Sequence, residues 1–307
     1  MNYTAFLQYL AFEKRLSPHT LEAYRSDLEQ FSSFLKDIYD CEDPTLVAPA
    51  FIRSWMVQLL DRQVSTRSIQ RKLATLKSYF RFLLKRGVIT ANPMLKVLTP
   101  KAGKRLPVFV EAPRMEQLFT QITFDPDFKG RRDRIVLELL YGTGMRRSEL
   151  LNLHLTSFDK SSRTLRVLGK GNKERFLPVA PYLHALLETY IDVRNTTFPD
   201  TGNHLILTDQ GKPAYPKLIY LIVNRYLSMV TTADQRSPHV LRHSFATHLT
   251  DQGAELNAVK DLLGHASLAA TQIYTHNSVE KLRKVYAAAH PKAGKNPDDG
   301  KVDIPRR

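Results

Sequence analysis

The sequence predicts a mainly α-helical chain of two domains, the second of them α+β with one small β-hairpin. Three observations carry this reading. Apolar residues recur at helical spacing through the first hundred positions. A polar stretch with little to pack, Thr99-Pro-Lys-Ala-Gly-Lys-Arg105, separates them from the remainder of the chain. Beyond it, helical patterns dominate except for two short strand-like runs around a glycine-containing turn. The domains are placed at residues 1–98 and 108–290, with a linker at 99–107 and a disordered tail at 291–307. A length of 307 residues suits two compact domains.

In the first domain a short helix carries Phe6, Leu7 and Leu10. Ser17 is placed to cap a second helix, with Pro18 at its first position and Leu21, Tyr24, Leu28, Phe31, Phe34 and Leu35 following. A third helix buries Phe51, Ile52, Trp55, Met56, Leu59 and Leu60. A fourth starts near Ser65 or Thr66, buries Ile69, Leu73, Leu76, Phe80 and Leu83, and is stopped by Gly87. It also carries Arg67, Arg71, Lys72, Lys77, Arg81, Lys85 and Arg86, and no acid lies between Ser65 and Ala91. A solvated outer face is one reading of such a run. The other is a phosphate-backbone contact, because no acid on the same helix can pair with these cations.

In the second domain a helix forms around Met115, Leu118 and Phe119. Another carries Ile135, Val136, Leu139 and Leu140 and breaks at Tyr141-Gly-Thr-Gly144. The two glycines permit a tight turn that presents Arg146 at the start of the next helix, where anions are favoured. Residues Thr164–Leu168 and Glu174–Val179 form the hairpin, with Lys170 at its tip. Further helices cover Pro181–Val193, Tyr215–Val230 and Val279–Ala289.

Lys+Arg total 45 against 30 Asp+Glu, a net charge of +15, which is the electrostatic footprint of a nucleic-acid binder. The single cysteine, Cys41, excludes an intramolecular disulfide framework and a cysteine-rich zinc site. With no signal-like N-terminus and no apolar run long enough to span a membrane, the expectation is a soluble, cytoplasmic chain without a membrane partner.

The chemistry concentrates between Ser237 and His276. Ser237 and Pro238 begin a helix whose first turn places His239 and Arg242 on one side. A guanidinium can fork onto two phosphate oxygens, and an imidazole can exchange a proton near neutral pH. His239, His243 and His248 also have metal-compatible spacing, but the glutamate of a zinc helix motif is missing, so no metal or other cofactor is expected. His243 and His248 are read as structural. Leu262-Leu-Gly-His265 ends a helix, and Tyr274 follows in Gln272-Ile-Tyr-Thr-His. A phenol is a poor nucleophile unless its proton is taken and its target is polarised, and the arginines, lysine and histidines can supply both conditions.

Arg146 in T-G-M-R-R-S-E-L, Lys170 in G-K-G-N-K-E-R, His239 and Arg242 in P-H-V-L-R-H-S-F-A-T-H, His265 in L-L-G-H-A-S and Tyr274 in Q-I-Y-T-H together resemble the tyrosine recombinases of the phage integrase family. Within that family the chain is most similar to the Xer branch of XerC and XerD type, and the ending V-Y-A-A-A-H-P-K-A leans toward XerC. The resemblance implies a SAM-like core-binding first domain and a catalytic second domain that clamp a DNA duplex between them. It also implies metal- and ATP-independent strand cleavage and rejoining, with Tyr274 as nucleophile through a 3′-phosphotyrosyl intermediate. Arg146 and Arg242 would hold the phosphate, Lys170 would act as general acid, His239 as base or proton relay for the tyrosine, and His265 would hydrogen-bond the phosphate. Glu149 would orient a basic neighbour. Arg67, Arg71, Lys72 and Lys77 are the candidate DNA contacts. The implied task is chromosome-dimer resolution at a dif-like site during cell division and chromosome partition. The implied assembly is a homo- or hetero-tetramer with a second Xer-type recombinase, made by exchange of the C-terminal helix and served by a septal DNA translocase. An integrase of a phage or mobile element and a non-catalytic DNA-binding protein are the alternatives.

Overall fold

The computed structural model describes residues 3–101, 103, 108–169, 174–264 and 276–292, with side chains from 283 onward in the last segment. The chain divides into two compact units, Met1–Arg105 and Leu106–Arg307. Among the described residues no helix is long and apolar enough to cross a membrane.

The first unit contains α1 (Thr4–Gln8), which passes into a π-turn at Tyr9–Glu13, and then α2 (Pro18–Tyr39), α3 (Pro49–Asp61) and α4 (Thr66–Lys85). Ser17 and Ser65 cap α2 and α4 by accepting from the backbone N–H groups of Thr20 and Ser68. The helices close over Phe6, Phe31, Trp55, Tyr79 and Phe80, all buried. Leu60 was expected in this core but is exposed, being on the outer side of α3.

Buried Asp27 on α2 overturns part of the reading of α4 as a one-sided basic face. It accepts hydrogen bonds from Arg71, from Lys72 Nζ at 3.0 Å and from Thr75 Oγ1 at 2.9 Å. Lys72 Nζ also donates to Gln30 at 2.7 Å, and the residue is buried. A buried carboxylate needs such partners, and the acid absent from α4 itself comes from the neighbouring helix. Lys72 is therefore a packing cation and is withdrawn as a DNA contact. Arg71 spends part of its guanidinium on Asp27 while staying half exposed, and Arg67, Lys77, Arg81 and Lys85 are exposed.

The second unit is built around α6 (Phe128–Thr143), which is buried along most of its length, charged Arg132, Asp133 and Glu138 included. Preceding it is α5 (Ala112–Thr120), and following it is the short α7 (Arg147–Leu151). Strands β1 (Phe158–Asp159), β2 (Thr164–Leu168) and β3 (Glu174–Pro178) form an antiparallel sheet in the order β1-β2-β3, with Arg166 opposite Phe176. The first of these was not expected, since two residues carry no periodicity. Helices α8 (Pro181–Thr197), α9 (Pro216–Leu227), α10 (Pro238–Asp251), α11 (Leu256–Leu263) and α12 (His276–Ala289) complete the unit. Helix α6 does not break at Tyr141. It runs on through Gly142 and Thr143, because Gly142 packs in helical conformation beneath Tyr182.

Helix α12 packs on β3, α10 and α11 of its own unit, with Tyr286 and Ala289 in the core. The predicted disordered tail is corrected at its start. Lys292 is buried, with Nζ donating to both carboxylate oxygens of fully buried Glu138 on α6 and lying 3.8 Å from the centre of the Phe119 ring. His290 is buried beside it, and its Nδ1 accepts from the Lys292 backbone N–H at 3.2 Å.

Removing one partner of a buried ion pair strands the other charge. Lys292→Met should lower the stability of the second unit by about 3–5 kcal/mol in urea titrations, and a Lys292→Met/Glu138→Leu double variant should regain most of that loss. Burial, with the Lys292 charge added, pushes His290 from 6.5 down to about 3. The folded state thus disfavours the proton, and the neutral ring's contribution is intact above pH 6.5 and lost as pH falls toward 3. Thermal melts of His290→Gln should accordingly show a shallower acid decline than the wild type across that window.

Candidate active site

Helix α6 ends at Gly144, which has φ of +63°. A Cβ there would come within 2.4 Å of the Phe245 ring on α10, so both the left-handed backbone and the close helix approach require glycine. Two residues later Arg146, with extended backbone, caps α7. Its backbone N–H donates to Glu149 Oε2 at 2.7 Å, the carboxylate half of a capping box. Arg242 rises from the first turns of α10 beside this turn and donates from Nη1 to the Gly144 carbonyl at 2.6 Å.

The two arginines meet at the C-terminal end of α11, which stops at Gly264 with φ of +62°. The last carbonyls of a helix have no partner within the helix and carry its negative dipole end. Here three successive ones are each taken by a guanidinium. Arg175 Nε donates to Leu262 O at 3.3 Å, Arg242 Nη2 to Leu263 O at 2.6 Å, and Arg146 Nη2 to Gly264 O at 3.1 Å.

A single buried carboxylate, Glu149, completes the cluster. Arg175 forks onto it with Nη1 at 2.6 Å and Nη2 at 2.8 Å, and Arg146 Nη1 adds a bond at 2.9 Å. With the Arg146 backbone N–H, all four acceptor positions of Glu149 are occupied. Burial alone would raise its pKa, but the Arg175 fork, supported by Arg146, outweighs burial and holds the carboxyl below its usual range. Arg242 is lowered from 12.5 to about 10, by burial first and then by the like charge of Arg146. Three guanidiniums face one carboxylate, so the cluster carries an uncompensated positive charge partly withdrawn from water. An anion placed there relieves it.

The residues singled out in the sequence divide in two. Arg146 is partly exposed, Arg242 is buried, and His239 stands exposed on the first turn of α10. Lys170, His265 and Tyr274 lie outside the described residues. His243 and buried His248 both lie edge-on to Phe109, and His248 also has Nδ1 3.0 Å from Tyr141 Oη. Ser237 starts α10 as expected, although its side chain makes no capping bond. The sequence reading missed Arg175. Its signal was the strand alternation, which puts Arg175 in phase with buried Leu177 and so demands a buried acid as partner.

The phage integrase family model matches residues 109–281, and the model for the phage integrase N-terminal SAM-like domain matches residues 4–87. The chain belongs to this family, the tyrosine recombinases. Among curated relatives it is 39% identical to the tyrosine recombinase XerC of Chlorobaculum parvum, over 94% of each chain. It is 37% identical to XerC of Oceanobacillus iheyensis, over 95% of this chain and 96% of that one. The fold is also that of the XerH site-specific recombinase solved on a palindromic difH substrate after cleavage, with a TM-score of 0.68 at 21% identity, covering 87% of this chain and 79% of that one. A lambda integrase dimer bound to a core site gives a TM-score of 0.65 at 17% identity, covering 88% and 96%. The chain is accordingly a site-specific tyrosine recombinase, an enzyme that cleaves and rejoins DNA.

For a recombinase the cluster is a ready anion site. Inorganic phosphate, compared with chloride at equal ionic strength, should raise the melting temperature of the wild type by ~2–4 °C, the equivalent of about 1 kcal/mol. Arg242→Gln should abolish most of that increment.

Proposed function

We propose that this recombinase resolves chromosome dimers at a dif-like site, and that its reaction centre joins the arginine cluster to residues on either side of it. Tyr274 Oη attacks the scissile phosphorus, the 5′-oxygen leaves, and a 3′-phosphotyrosyl bond replaces the broken phosphodiester. The phenolic proton passes to His239, and Lys170 delivers a proton to the leaving 5′-oxygen. Arg146 and Arg242 take the non-bridging oxygens and stabilise the charge that grows on them in the transition state. His265 adds a hydrogen bond to the same phosphate. Because the covalent bond conserves the energy of the one it replaced, rejoining to a second strand is close to balanced.

The observation that carries this reading is the meeting of Arg146 and Arg242 at Leu263 and Gly264, the residues immediately before His265. Both clamp arginines are thereby tied to the start of the segment that holds the proposed nucleophile. On the first unit, exposed Arg67, Arg71 and Lys77 supply phosphate-backbone contacts that position the duplex without reading its sequence. The assembly proposed is one of several recombinase copies, or of this chain with a second Xer-type recombinase, on paired sites.

A nicked suicide duplex carrying the dif-like site of the host chromosome tests the assignment. The wild type should accumulate a covalent protein–DNA complex on denaturing gels, and Tyr274→Phe should form none. A complex that persists in the Phe variant would place the nucleophile elsewhere. Capture only on a mobile-element attachment core would reassign the biological task to integration.

A further inference from the structure

We propose that Arg175 is a positioning residue for strand cleavage, acting by saturating Glu149 so that Arg146 stays free to hold the scissile phosphate. This rests on the assignment of Arg146 to the phosphate clamp.

Arg175 cannot serve by touching DNA. It is buried on β3, with three of its five N–H donors spent on Glu149 and on Leu262 O, and a Cβ at Gly264 would sit 3.0 Å from its guanidinium. It thus joins three pieces of chain that are far apart in sequence: strand β3, the start of α7 and the end of α11. Its effect on Arg146 comes from counting donors and acceptors. An arginine has five N–H donors, and a carboxylate has about four acceptor positions. Arg146 gives its side chain to Glu149 through Nη1 alone and to Gly264 O through Nη2, which leaves its other side-chain donors for a ligand.

Removing Arg175 empties two acceptor positions on a carboxylate that is 1% exposed. A buried anion with open lone pairs draws the nearest cation into a fork, and the nearest one is Arg146. The guanidinium that should meet phosphate would then be spent on Glu149. Lysine at position 175 restores the charge but is a point donor and cannot fill both positions.

Single-turnover cleavage of the nicked duplex by the full chain tests this. Arg175→Met should cleave about 100-fold more slowly, as when one preorganised donor is lost from a transition-state site. Arg175→Lys should also be slow, and it provides the test if the Met variant is poorly folded. Both should bind the duplex within about threefold of wild type, since one phosphate contact is a small share of the interface. A merely structural role predicts that further damage to the cluster makes matters worse. Charge capture predicts the opposite, that Arg175→Met/Glu149→Gln recovers about tenfold over Arg175→Met, because a neutral amide does not hold Arg146. A 5′-bridging phosphorothiolate, whose leaving group needs no proton, should rescue Lys170→Ala and not Arg175→Met.

Wild-type cleavage by Arg175→Lys, a double variant no faster than the single, or rescue of Arg175→Met by the sulfur substrate would each overturn the proposal, the last by moving Arg175 to the support of the Lys170 hairpin. Failure of the underlying reading looks different. In that case Tyr274→Phe still forms the covalent complex, or Arg146→Gln cleaves as the wild type does.

Discussion

The second unit depends on how the end of α11 is held. Helix C-termini in proteins are commonly satisfied by water or by a glycine-based backbone motif. Here Leu262, Leu263 and Gly264 each give a carbonyl to a different arginine, and those arginines come from β3, α10 and the turn after α6. The helix dipole sets the sign of this arrangement, because its negative end gathers cations. Gly264 allows the approach, and Glu149 keeps two of the three guanidiniums from repelling each other apart. The same cations that finish the helix are the ones that an anionic ligand would meet, so folding and ligand binding draw on one set of donors.

Much of this was legible in the sequence. The helical periods, the Ser17 and Ser65 caps, the hairpin and the glycine stop after Leu263 are local signals, and the structure places each where spacing puts it. Arg146 and Arg242 were legible too, because their motifs carry them, and both reach the end of α11. What could not be read were interactions between elements distant in the chain. Nothing near Lys72 announces that Asp27 on α2 will bury it, nor does anything near Lys292 point to Glu138. A run of cations looks the same whether it faces solvent or a buried acid. The strand alternation at Arg175 came closest to showing such a contact, since it marks an inward charge without naming its partner.

The basic excess therefore has two parts. Arg132, Arg175, Arg194, Lys72 and Lys292 are buried and matched by carboxylates or carbonyls, so they are part of how the fold closes. Exposed cations such as Arg67, Lys77 and Arg81 remain to meet a polyanion. Net charge counts both kinds alike, which is why it identifies a nucleic-acid enzyme more safely than it identifies the residues that touch nucleic acid.

The Lys292–Glu138 pair bears on reach. Tyr274 stands ten residues after Gly264 but only two before His276, the first residue of α12. Two residues of extended chain span at most about 7 Å, so in the proposed reaction the reach of Tyr274 is set from the start of α12 rather than from α11. Fourteen residues of helix lie between that point and His290, and the buried lysine beyond them fastens the far end to α6. That lysine thus acts as a mooring for the helix from which the proposed nucleophile is reached.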